Sequence, residues 1–463
     1  MALIKSISGI RGTIGGKVDE NLTPIDIVKF ATAYADWLIK QSGDNPKVII
    51  GRDARISGEM VQQLVTNTLI AKGVNVVDIG LSTTPTVEMV VPYEKADGGI
   101  ILTASHNPKE WNALKLLNHK GEFLSSNDGK GILDAADQAD FNYNDVDHLG
   151  NVSYNSAYID WHIEQVINHK LVDRNAIQSA SLKVVVDAVN STGGISIPPL
   201  LKQLGVEVVP LYCEPNGEFP HNPEPLKKHL TDISELVKKE KADLGIVVDP
   251  DVDRLAIIDE NGEMIGEEYT LVSVADYVLS HQPGSCVSNL SSSRALSDIA
   301  KKHGCEYFAS AVGEVNVVEK MKSKDAVIGG EGNGGVIVPD LHYGRDSLIG
   351  TALFLSHLVH SKKTCSQLRA DLPDYFMAKE KIQLTPDINV DDVLAQMQED
   401  YKQEEHSTID GLKIDFADSW VHLRKSNTEP IIRIYTEATS QNEADELAQK
   451  VIRQIKAKVA YKK

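Results

Sequence analysis

The stretch DGGIILTASHNP, residues 97–108, runs from a short apolar strand into a polar loop, and the same pattern returns twice along the chain. It returns as DLGIVVDPDVDR (243–254) and as DAVIGGEGNGG (325–335), and each copy opens with an aspartate. Eight residues after those aspartates lie three different polar side chains, Ser105, Asp251 and Asn333. Since open α/β sheets bind ligands beyond the carboxyl ends of their strands, three copies of one unit would place three polar loops at equivalent positions.

The segments upstream of these stretches repeat as well. In each copy a helical segment ends in a glycine, and these glycines are Gly73, Gly205 and Gly304. A β-rich run follows each of them, and glycine suits the left-handed conformation that closes a helix. The alternation of β-rich and helical segments favours parallel α/β layers. We therefore favour three related α/β units over three unrelated βα units that align by chance.

The C-terminal part of the chain has a different pattern. Residues 406–440 read as strands and turns, and residues 442–459 read as a closing amphipathic helix. A chain of 463 residues also exceeds what one hydrophobic core usually organises. The sequence thus predicts an α/β fold with three related α/β domains and a smaller C-terminal α+β domain. The expected ranges are 1–150, 151–255, 256–370 and 371–463.

Composition narrows the class of partner. Lys plus Arg is 47 and Asp plus Glu is 66, a formal net charge of −19, which disfavours nucleic acid and anionic membranes. The four cysteines are far apart and the start has no apolar secretion segment, so we expect a cytoplasmic protein with reduced thiols. The longest apolar stretch, near Leu348–Val359, is too short to span a bilayer. We expect a monomer or a homodimer.

The loop TASHNP (103–108), here called the acceptor loop, offers a nucleophile. A serine at the end of a strand is exposed, so Ser105 can accept a phosphoryl group. His106 and Asn107 can hold phosphate oxygens, and Pro108 stiffens the turn. The alternative, which an isolated S-H-N-P favours, is a turn that caps the next helix. A Ser–His hydrolase is a poorer interpretation, because no G-x-S-x-G elbow is present.

The loop DPDVDR (249–254), here called the aspartate loop, offers a cation site. Alternate side chains of an extended loop fall on one side, so Asp249, Asp251 and Asp253 can converge on one hard cation. Arg254 is a candidate phosphate contact. An EF-hand would need glycine at the position of Arg254 and a helix on either side, and neither is present. A solvated acidic turn is disfavoured, because three like charges repel unless a cation neutralises them.

Two further loops carry polar side chains. In GGEGNGG (329–335), here called the glycine loop, the backbone can approach a ligand closely, and Glu331 and Asn333 suit sugar hydroxyls. A mobile turn has the same composition. The stretch RKSNTEP (424–430), here called the cationic loop, together with Arg433 has the composition of a phosphate cradle. A surface turn between two strands is an equally good interpretation of it.

The N-terminal segment adds two candidates. Arg11 lies among glycines in SISGIRGTIGG and can serve an anion. Asp53 lies in GRDARISGE between Arg52 and Arg55, and we expect it to pair with one of these arginines as structural support.

Together the four loops resemble the α-D-phosphohexomutase family, which includes phosphoglucomutases, phosphomannomutases and phosphoglucosamine mutases. The resemblance runs the length of the chain and keeps the family's order of motifs: TASHNP, D-x-D-x-D-R, G-E-x-[SN]-G and R-x-S-N-T-E-P. It implies three related α/β domains and a fourth domain like the TATA-binding protein, arranged around a central active-site cleft. It also implies a hexose phosphate substrate and a hexose 1,6-bisphosphate intermediate.

The resemblance also implies roles for individual residues. Ser105 would be the phosphorylated serine, and a phosphoserine oxygen with Asp249, Asp251 and Asp253 would hold Mg²⁺. Lys115 matches the family's lysine beside the reacting hydroxyl, and Arg11 matches the arginine of an I-R-G motif, so both are candidates for proton transfer or positioning. Glu331 and Asn333 match the pair that reads the sugar ring. The residues that match the loop gripping the non-transferring phosphate are Arg424, Ser426, Asn427 and Thr428.

The chain departs from the family pattern at two loops. Val252 replaces a small residue in the aspartate loop, which implies a stiffer loop that still binds metal. The glycine loop ends Asn333-Gly334-Gly335 where S-G-H is more common, and Arg345-Asp346 follows. This favours glucosamine phosphate, with phosphoglucomutase or phosphomannomutase activity as the alternative. Two rival classes are a phosphatase or phosphotransferase with Asp249 as nucleophile and a non-catalytic phosphosugar-binding protein.

Overall fold

The computed structural model describes residues 3–6, 9–383, 388–425 and 431–460, and its strands form four sheets. The first α/β unit has a seven-stranded sheet of order β1-β2-β6-β5-β3-β4-β7. Its strands are β1 (Leu3–Ser6), β2 (Gly9–Thr13), β3 (Lys47–Arg52), β4 (Asn75–Leu81), β5 (Gly98–Leu102), β6 (Trp111–Leu117) and β7 (Val152–Tyr154). Its helices are α1 (Pro24–Ser42), α2 (Gly58–Ala71), α3 (Thr84–Tyr93) and α4 (Ser126–Gln138).

The second unit has a four-stranded sheet of order β11-β10-β8-β9. Its helices are α5 (Tyr158–Ile167), α6 (Arg174–Ala180), α7 (Gly193–Gln203) and α8 (Thr231–Glu240). Its strands are β8 (Lys183–Asp187), β9 (Glu207–Leu211), β10 (Leu244–Val248) and β11 (Leu255–Asp259). Two short 3₁₀ helices, at Val146–His148 and Lys227–His229, lie in connecting segments.

The third unit has a four-stranded sheet of order β13-β12-β14-β15. Its helices are α9 (Glu267–His281), α10 (Ala295–Lys302), α11 (Glu314–Ser323), α12 (Ser347–Ser361) and α13 (Cys365–Ala370). Its strands are β12 (Cys286–Asn289), β13 (Tyr307–Ser310), β14 (Ile328–Glu331) and β15 (Gly335–Ile337).

The fourth unit is an antiparallel five-stranded sheet of order β16-β20-β19-β18-β17 with two helices. Its elements are β16 (Phe376–Gln383), α14 (Val390–Asp400), β17 (Glu405–Ser407), β18 (Leu412–Asp415), β19 (Trp420–Lys425), β20 (Ile431–Ala438) and α15 (Gln441–Ala460). This confirms the predicted α+β character of the C-terminal part. In the described part of the chain, no helix combines the length and apolarity needed to cross a membrane.

The predicted threefold repeat is confirmed by the strand orders. The orders β6-β5-β3-β4, β11-β10-β8-β9 and β15-β14-β12-β13 are the same arrangement in three sheets. Each arrangement has three parallel strands and one antiparallel strand that follows the polar loop. The predicted parallel α/β layers are thus present, and each also has an antiparallel strand, because each polar loop turns the chain back beside the strand that precedes it.

Two local features explain why the repeats share a register. Gly73, Gly205 and Gly304 close helices with φ of 78°, 78° and 66°, the left-handed conformation that the sequence predicts. In the first two copies the leading aspartate also binds the start of the neighbouring strand. Oδ2 of Asp97 accepts a hydrogen bond from the Lys47 amide at 2.8 Å, and Oδ2 of Asp243 accepts one from the Lys183 amide at 2.7 Å. The aspartate therefore aligns two adjacent parallel strands.

The predicted boundaries at 150, 255 and 370 stay predictions. In the structure, β7 pairs with β4 of the first sheet, and β11 pairs with β10 of the second sheet. Divisions after Tyr154 and Asp259 would keep those two sheets whole.

The hydrophobic cores do not follow the four sheets one to one. The second and third α/β units share one large cluster that runs from Ile159 to Leu372 and includes Val248, Val252 and Leu348. The first unit has its own core between its sheet and helices α1 and α2, and the fourth unit has a separate core. The aspartate loop and the glycine loop are therefore carried by one continuously packed body.

Candidate active site

The acceptor loop follows β5 and presents Ser105 to the second unit. Ser105 has φ of 48°, an unusual conformation for a residue other than glycine, and its side chain is buried. Its amide donates to Thr103 Oγ1 at 2.9 Å. Its hydroxyl donates to Oδ2 of Asp249 at 2.7 Å, across a sequence separation of 144 residues. The structure thus brings the acceptor loop and the aspartate loop into direct contact.

Arg55 holds the acceptor loop in this conformation. Its buried guanidinium pairs with Asp53 at 3.0 Å, as the sequence predicts for structural support. It also donates to four backbone carbonyls of the loop and its flank, those of Ser105, Asn107, Pro108 and Trp111. A buried guanidinium satisfied by carbonyl oxygens fixes the path of the backbone that carries Ser105.

The three carboxylates of the aspartate loop converge. Asp249, Asp251 and Asp253 are all buried, and each offers an oxygen within 4.8 Å of the others. Oδ1 of Asp249 accepts hydrogen bonds from the amides of Asp253 and Arg254 at 3.2 and 3.1 Å, which folds the loop around it. Burial and the two neighbouring carboxylates raise the pKa of Asp249 well above its usual range.

The same carboxylates leave oxygens for a cation. Oδ2 of Asp251 accepts from Lys115 Nζ and from Thr84 Oγ1, both at 2.6 Å. Oδ2 of Asp253 accepts from Arg345 Nη2 at 2.6 Å. The Oδ1 atoms of Asp251 and Asp253 are buried and have no hydrogen-bond partner within the described ranges. Buried carboxylate oxygens without partners suit a hard divalent cation, so this donor set fits a metal ion.

Lys115 and Arg11 lie beside the aspartate loop on neighbouring strands, β6 and β2. Burial alone would lower the pKa of Lys115, but the charges of Asp251 and Asp253 outweigh it and raise the pKa. Lys115 is therefore protonated at neutral pH. Arg11 Nη1 lies 3.4 Å from Oδ1 of Asn107, and burial lowers its pKa. Lys115 therefore contacts the carboxylates of the aspartate loop directly, and Arg11 contacts the acceptor loop at Asn107.

The predicted phosphate contacts of the first two loops also lie here. His106 Nδ1 is 3.4 Å from the Ser105 hydroxyl, and burial, with Arg254 and Arg11 nearby, lowers the pKa of His106 to about 2. His106 is therefore neutral at physiological pH. Arg254 is half-buried, its Nη1 lies 3.8 Å from Glu224, and its Nε has no hydrogen-bond partner among described residues.

Glu331 of the glycine loop is held by hydrogen bonds from three residues outside that loop. Oε1 of Glu331 accepts hydrogen bonds from Asn289 Nδ2 at 2.9 Å and from the Gly313 amide at 3.1 Å. Oε2 accepts from Arg345 Nη1 at 2.8 Å. Burial raises the pKa of Glu331, but the Arg345 charge outweighs it, so the pKa is lowered and the carboxylate is ionised. Oδ1 of Asn333 accepts a hydrogen bond from the Gly335 amide at 3.2 Å.

The cationic loop is described only at its edges. Arg424 and Arg433 are cross-strand neighbours on β19 and β20. Arg424 Nε lies 2.9 Å from Oδ2 of Asp410, and the same oxygen accepts the Val312 amide at 3.0 Å. Val312 adjoins Gly313, which binds Glu331, so Asp410 connects this loop to the glycine loop. The other predicted members lie outside the described residues: Ser426, Asn427 and Thr428.

Three buried residues of the site were missed as functional candidates. Arg345 appeared in the sequence only as part of an R-D pair. Glu88 is buried, both its oxygens lack hydrogen-bond partners in the described chain, and burial raises its pKa well above the usual range. Glu314 pairs with Arg345 at 3.0 Å, and burial raises the pKa of Glu314 to about 7. Of these three residues, the sequence could have indicated Glu88, because it is a lone acid in the apolar run TVEMVV.

Comparison with known proteins covers nearly the whole chain. Four family models match in order: phosphoglucomutase/phosphomannomutase α/β/α domain I at 3–143, domain II at 158–262, domain III at 266–376 and the C-terminal domain at 379–454.

Individual relatives agree with the family models. A phosphoglucomutase/phosphomannomutase of Thermococcus kodakarensis is 37% identical over 94% of this chain and 96% of its own. A probable phosphoglucosamine mutase of Methanopyrus kandleri is 32% identical over 95% of both chains. A crystal structure of a phosphoglucomutase/phosphomannomutase family protein from Burkholderia thailandensis is 27% identical, with a TM-score of 0.83 over 98% of this chain and 97% of its own.

Proposed function

The chain belongs to the phosphoglucomutase/phosphomannomutase family of phosphohexomutases, and on that premise we propose that Ser105 carries the phosphoryl group which this enzyme moves. The observation that carries the proposal is the 2.7 Å contact between the Ser105 hydroxyl and Oδ2 of Asp249. It supports a serine nucleophile held against a cation site. The rival with Asp249 as nucleophile is disfavoured, because Oδ1 of Asp249 is engaged by two backbone amides of its own loop.

Two half-reactions follow from this arrangement. In the first, a hydroxyl of the hexose monophosphate attacks the phosphorus on Ser105; an oxygen–phosphorus bond to the sugar forms as the bond to Oγ breaks. Lys115 is our candidate for the proton transfers: its ammonium gives a proton to Oγ as that bond breaks, and the resulting amine takes the proton of the attacking hydroxyl. The bisphosphate then turns over, and its other phosphoryl group returns to Ser105 by the same chemistry.

We propose that Asp249, Asp251 and Asp253 hold Mg²⁺, since the two unpartnered Oδ1 atoms and the hard oxygen donors fit this ion. When bound, the ion neutralises charge that accumulates on the transferring phosphoryl group. The side chains of Lys115, Arg11 and Arg254 add positive charge on the same side of the site, although the chain carries a formal net charge of −19. Arg424 and Arg433 are our candidates for gripping the phosphate that is not transferred.

The preferred sugar is proposed to be glucosamine phosphate. Glu331 and Asn333 present an acceptor and a mixed donor–acceptor to the ring. Glu331 is ionised and pairs with Arg345 at 2.8 Å, and this carboxylate would attract a sugar ammonium. Phosphoglucomutase/phosphomannomutase activity is the second candidate, because the relative from Thermococcus kodakarensis carries that name.

The test compares mutase turnover on glucosamine 6-phosphate, glucose 1-phosphate and mannose 1-phosphate at one Mg²⁺ concentration. We expect the highest kcat/KM on glucosamine 6-phosphate and no turnover by Ser105→Ala, with exposed Ser153→Ala as the matched control. Equal kcat/KM on all three sugars would refute the sugar preference alone. Activity retained by Ser105→Ala and lost in Asp249→Asn would refute the serine mechanism.

A further inference from the structure

Arg345 is the cation on which several parts of the site converge. It lies two residues before the start of α12, and its side chain is 10% exposed. The guanidinium donates to three carboxylates that come from separate segments: Nη2 to Asp253 at 2.6 Å, Nη1 to Glu331 at 2.8 Å and Nε to Glu314 at 3.0 Å. All of its nitrogen atoms are thus used, each on a different side chain.

These contacts join the aspartate loop to the glycine loop. Asp253 belongs to the aspartate loop on the second sheet, and Glu331 ends β14 on the third sheet. Because Arg345 occupies Oδ2 of Asp253, the unpartnered oxygen Oδ1 is left for the cation. Because it occupies Oε2 of Glu331, that carboxylate is held from both ends, with Asn289 and Gly313 on the other oxygen.

The glycine loop leaves the space that Arg345 fills. A Cβ atom on Gly335 would lie 2.2 Å from Cδ of Arg345, and Gly335 does not have a positive φ. An alanine at Gly335 would thus be compatible with the backbone and incompatible with the present position of Arg345. The glycine at 335 and the arginine at 345 are therefore complementary features of this chain.

We propose that Arg345 is a positioning residue that holds the aspartate loop and the glycine loop in one geometry, so that the cation site and the sugar-reading carboxylate depend on the same side chain. A planar guanidinium suits this task, since its donors span two acceptors in a fixed geometry, whereas an ammonium is a single point charge. The inference rests on the proposed function, because that function gives the two loops their ligands.

The experiment uses the full-length protein and two readouts. The first is the dissociation constant of Mg²⁺ alone, measured by calorimetry, and the second is KM against kcat for glucosamine 6-phosphate. In Arg345→Ala we expect Mg²⁺ binding to weaken about 10- to 100-fold, the usual effect of removing a partner behind a metal ligand, and KM to rise in parallel. A purely catalytic loss would lower kcat and leave the Mg²⁺ affinity unchanged.

A second variant removes no charge. Gly335→Ala should displace Arg345 and reproduce both changes, and Gly350→Ala is its matched control, since a Cβ there comes no closer than 3.2 Å to any neighbour. Arg345→Lys keeps the charge and should recover at most one of the two readouts. The melting temperature of each variant shows that it is folded, and Gly335→Ala carries the test if Arg345→Ala does not fold.

Some outcomes would overturn the proposal. Wild-type Mg²⁺ affinity and wild-type KM in folded Arg345→Ala or Gly335→Ala would do so, and so would full recovery of both readouts by Arg345→Lys. A failure of the proposed function would look different: the wild-type chain would lack mutase turnover on every sugar phosphate, while the dependence of Mg²⁺ binding on Arg345 would still be measurable.

Discussion

Two residues of the site have backbone conformations that their side chains disfavour. Ser105 has φ of 48° and Val252 has φ of 65°. For a β-branched residue such a φ is a clear outlier, and strain of this kind collects at functional sites. Val252 is also fully buried in the core that the second and third units share. The valine in the aspartate loop therefore combines local strain with core packing, which agrees with the stiff loop that the sequence implies.

Substitution of Val252 separates these two effects. Val252→Ala loses methyl groups and keeps most of the strain, whereas Val252→Gly loses the whole side chain and relieves strain of about 1 kcal/mol. We expect the glycine variant to be at least as stable as the alanine variant, although glycine ordinarily costs about 0.5–1 kcal/mol relative to alanine. Urea denaturation of both variants measures the order. If the alanine variant is more stable than the glycine variant by about 0.5–1 kcal/mol, the backbone of Val252 is unstrained.

Single residues differed in how well the sequence predicted them. Ser105 and the three aspartates were identifiable because each lies within a short motif directly after an apolar strand. Arg345 could not be identified as a site residue from the sequence, because it contacts Asp253, which is 92 residues away in the chain. Glu88 could not be identified as a site residue either, because its surroundings come from other segments, such as His342 and Gly344 of the third unit. Contacts of this length depend on how the units assemble.

At the level of elements, the repeated strand–loop–strand unit explains how different chemistry reaches equivalent positions. The loops after β5, β10 and β14 carry a hydroxyl, three carboxylates and a glycine-rich turn on the same framework. The sequence predicted the strands before these loops and the glycines that close the helices. It did not predict the direction of β6, β11 and β15, since an apolar strand has the same pattern whether its neighbour is parallel or antiparallel.

The leading aspartate of the unit should stabilise the sheet through one hydrogen bond. Asp97→Ala removes the acceptor of the Lys47 amide and should cost about 1 kcal/mol. Asp97→Asn keeps an oxygen acceptor and should cost less, and the equivalent pair at Asp243 should show the same order. Denaturation midpoints of the four variants test this. Equal losses for Asn and Ala at both positions would mean that charge, rather than the hydrogen bond, is what matters there.

At the scale of the whole molecule, the fourth unit is attached to the third through polar contacts. His422 lies buried between them: its Nδ1 is 2.9 Å from Ser291 Oγ, and its Nε2 is 2.6 Å from the Asp410 carbonyl. Oε1 of Glu437 accepts hydrogen bonds from the Arg294 amide at 3.0 Å and from Trp420 Nε1 at 2.7 Å. The second and third units share an apolar core instead.

Acid should weaken this attachment. Burial lowers the pKa of His422 to about 4, below the value of about 6.5 in an unfolded chain. Because the unfolded state binds the proton more tightly, the contribution of His422 is complete above pH 6.5 and is lost as pH falls toward 4. We expect about 2 kcal/mol of loss between pH 7 and pH 5. His422→Gln should lose less over this interval in denaturation experiments; an identical pH dependence would exclude His422 as the cause.

The overall architecture was largely predictable and the packing between units was not. Repeated motifs in one chain indicate repeated domains, and all three repeats and the α+β unit are present. The shared core of the second and third units arises from apolar faces of α9, α12 and the sheets, and no local pattern in the sequence shows which units those faces join.

If Ser105 carries the phosphoryl group, mass spectrometry of the wild-type protein should locate the group on that residue. Wild-type protein is incubated with glucose 1,6-bisphosphate and Mg²⁺, digested in acid and mapped by fragmentation mass spectrometry. We predict one acid-stable phosphoryl group on Ser105, and none anywhere in Ser105→Ala. A phosphoryl group on another residue, or an acid-labile one lost from Asp249 with Ser105 unmodified, would contradict the account.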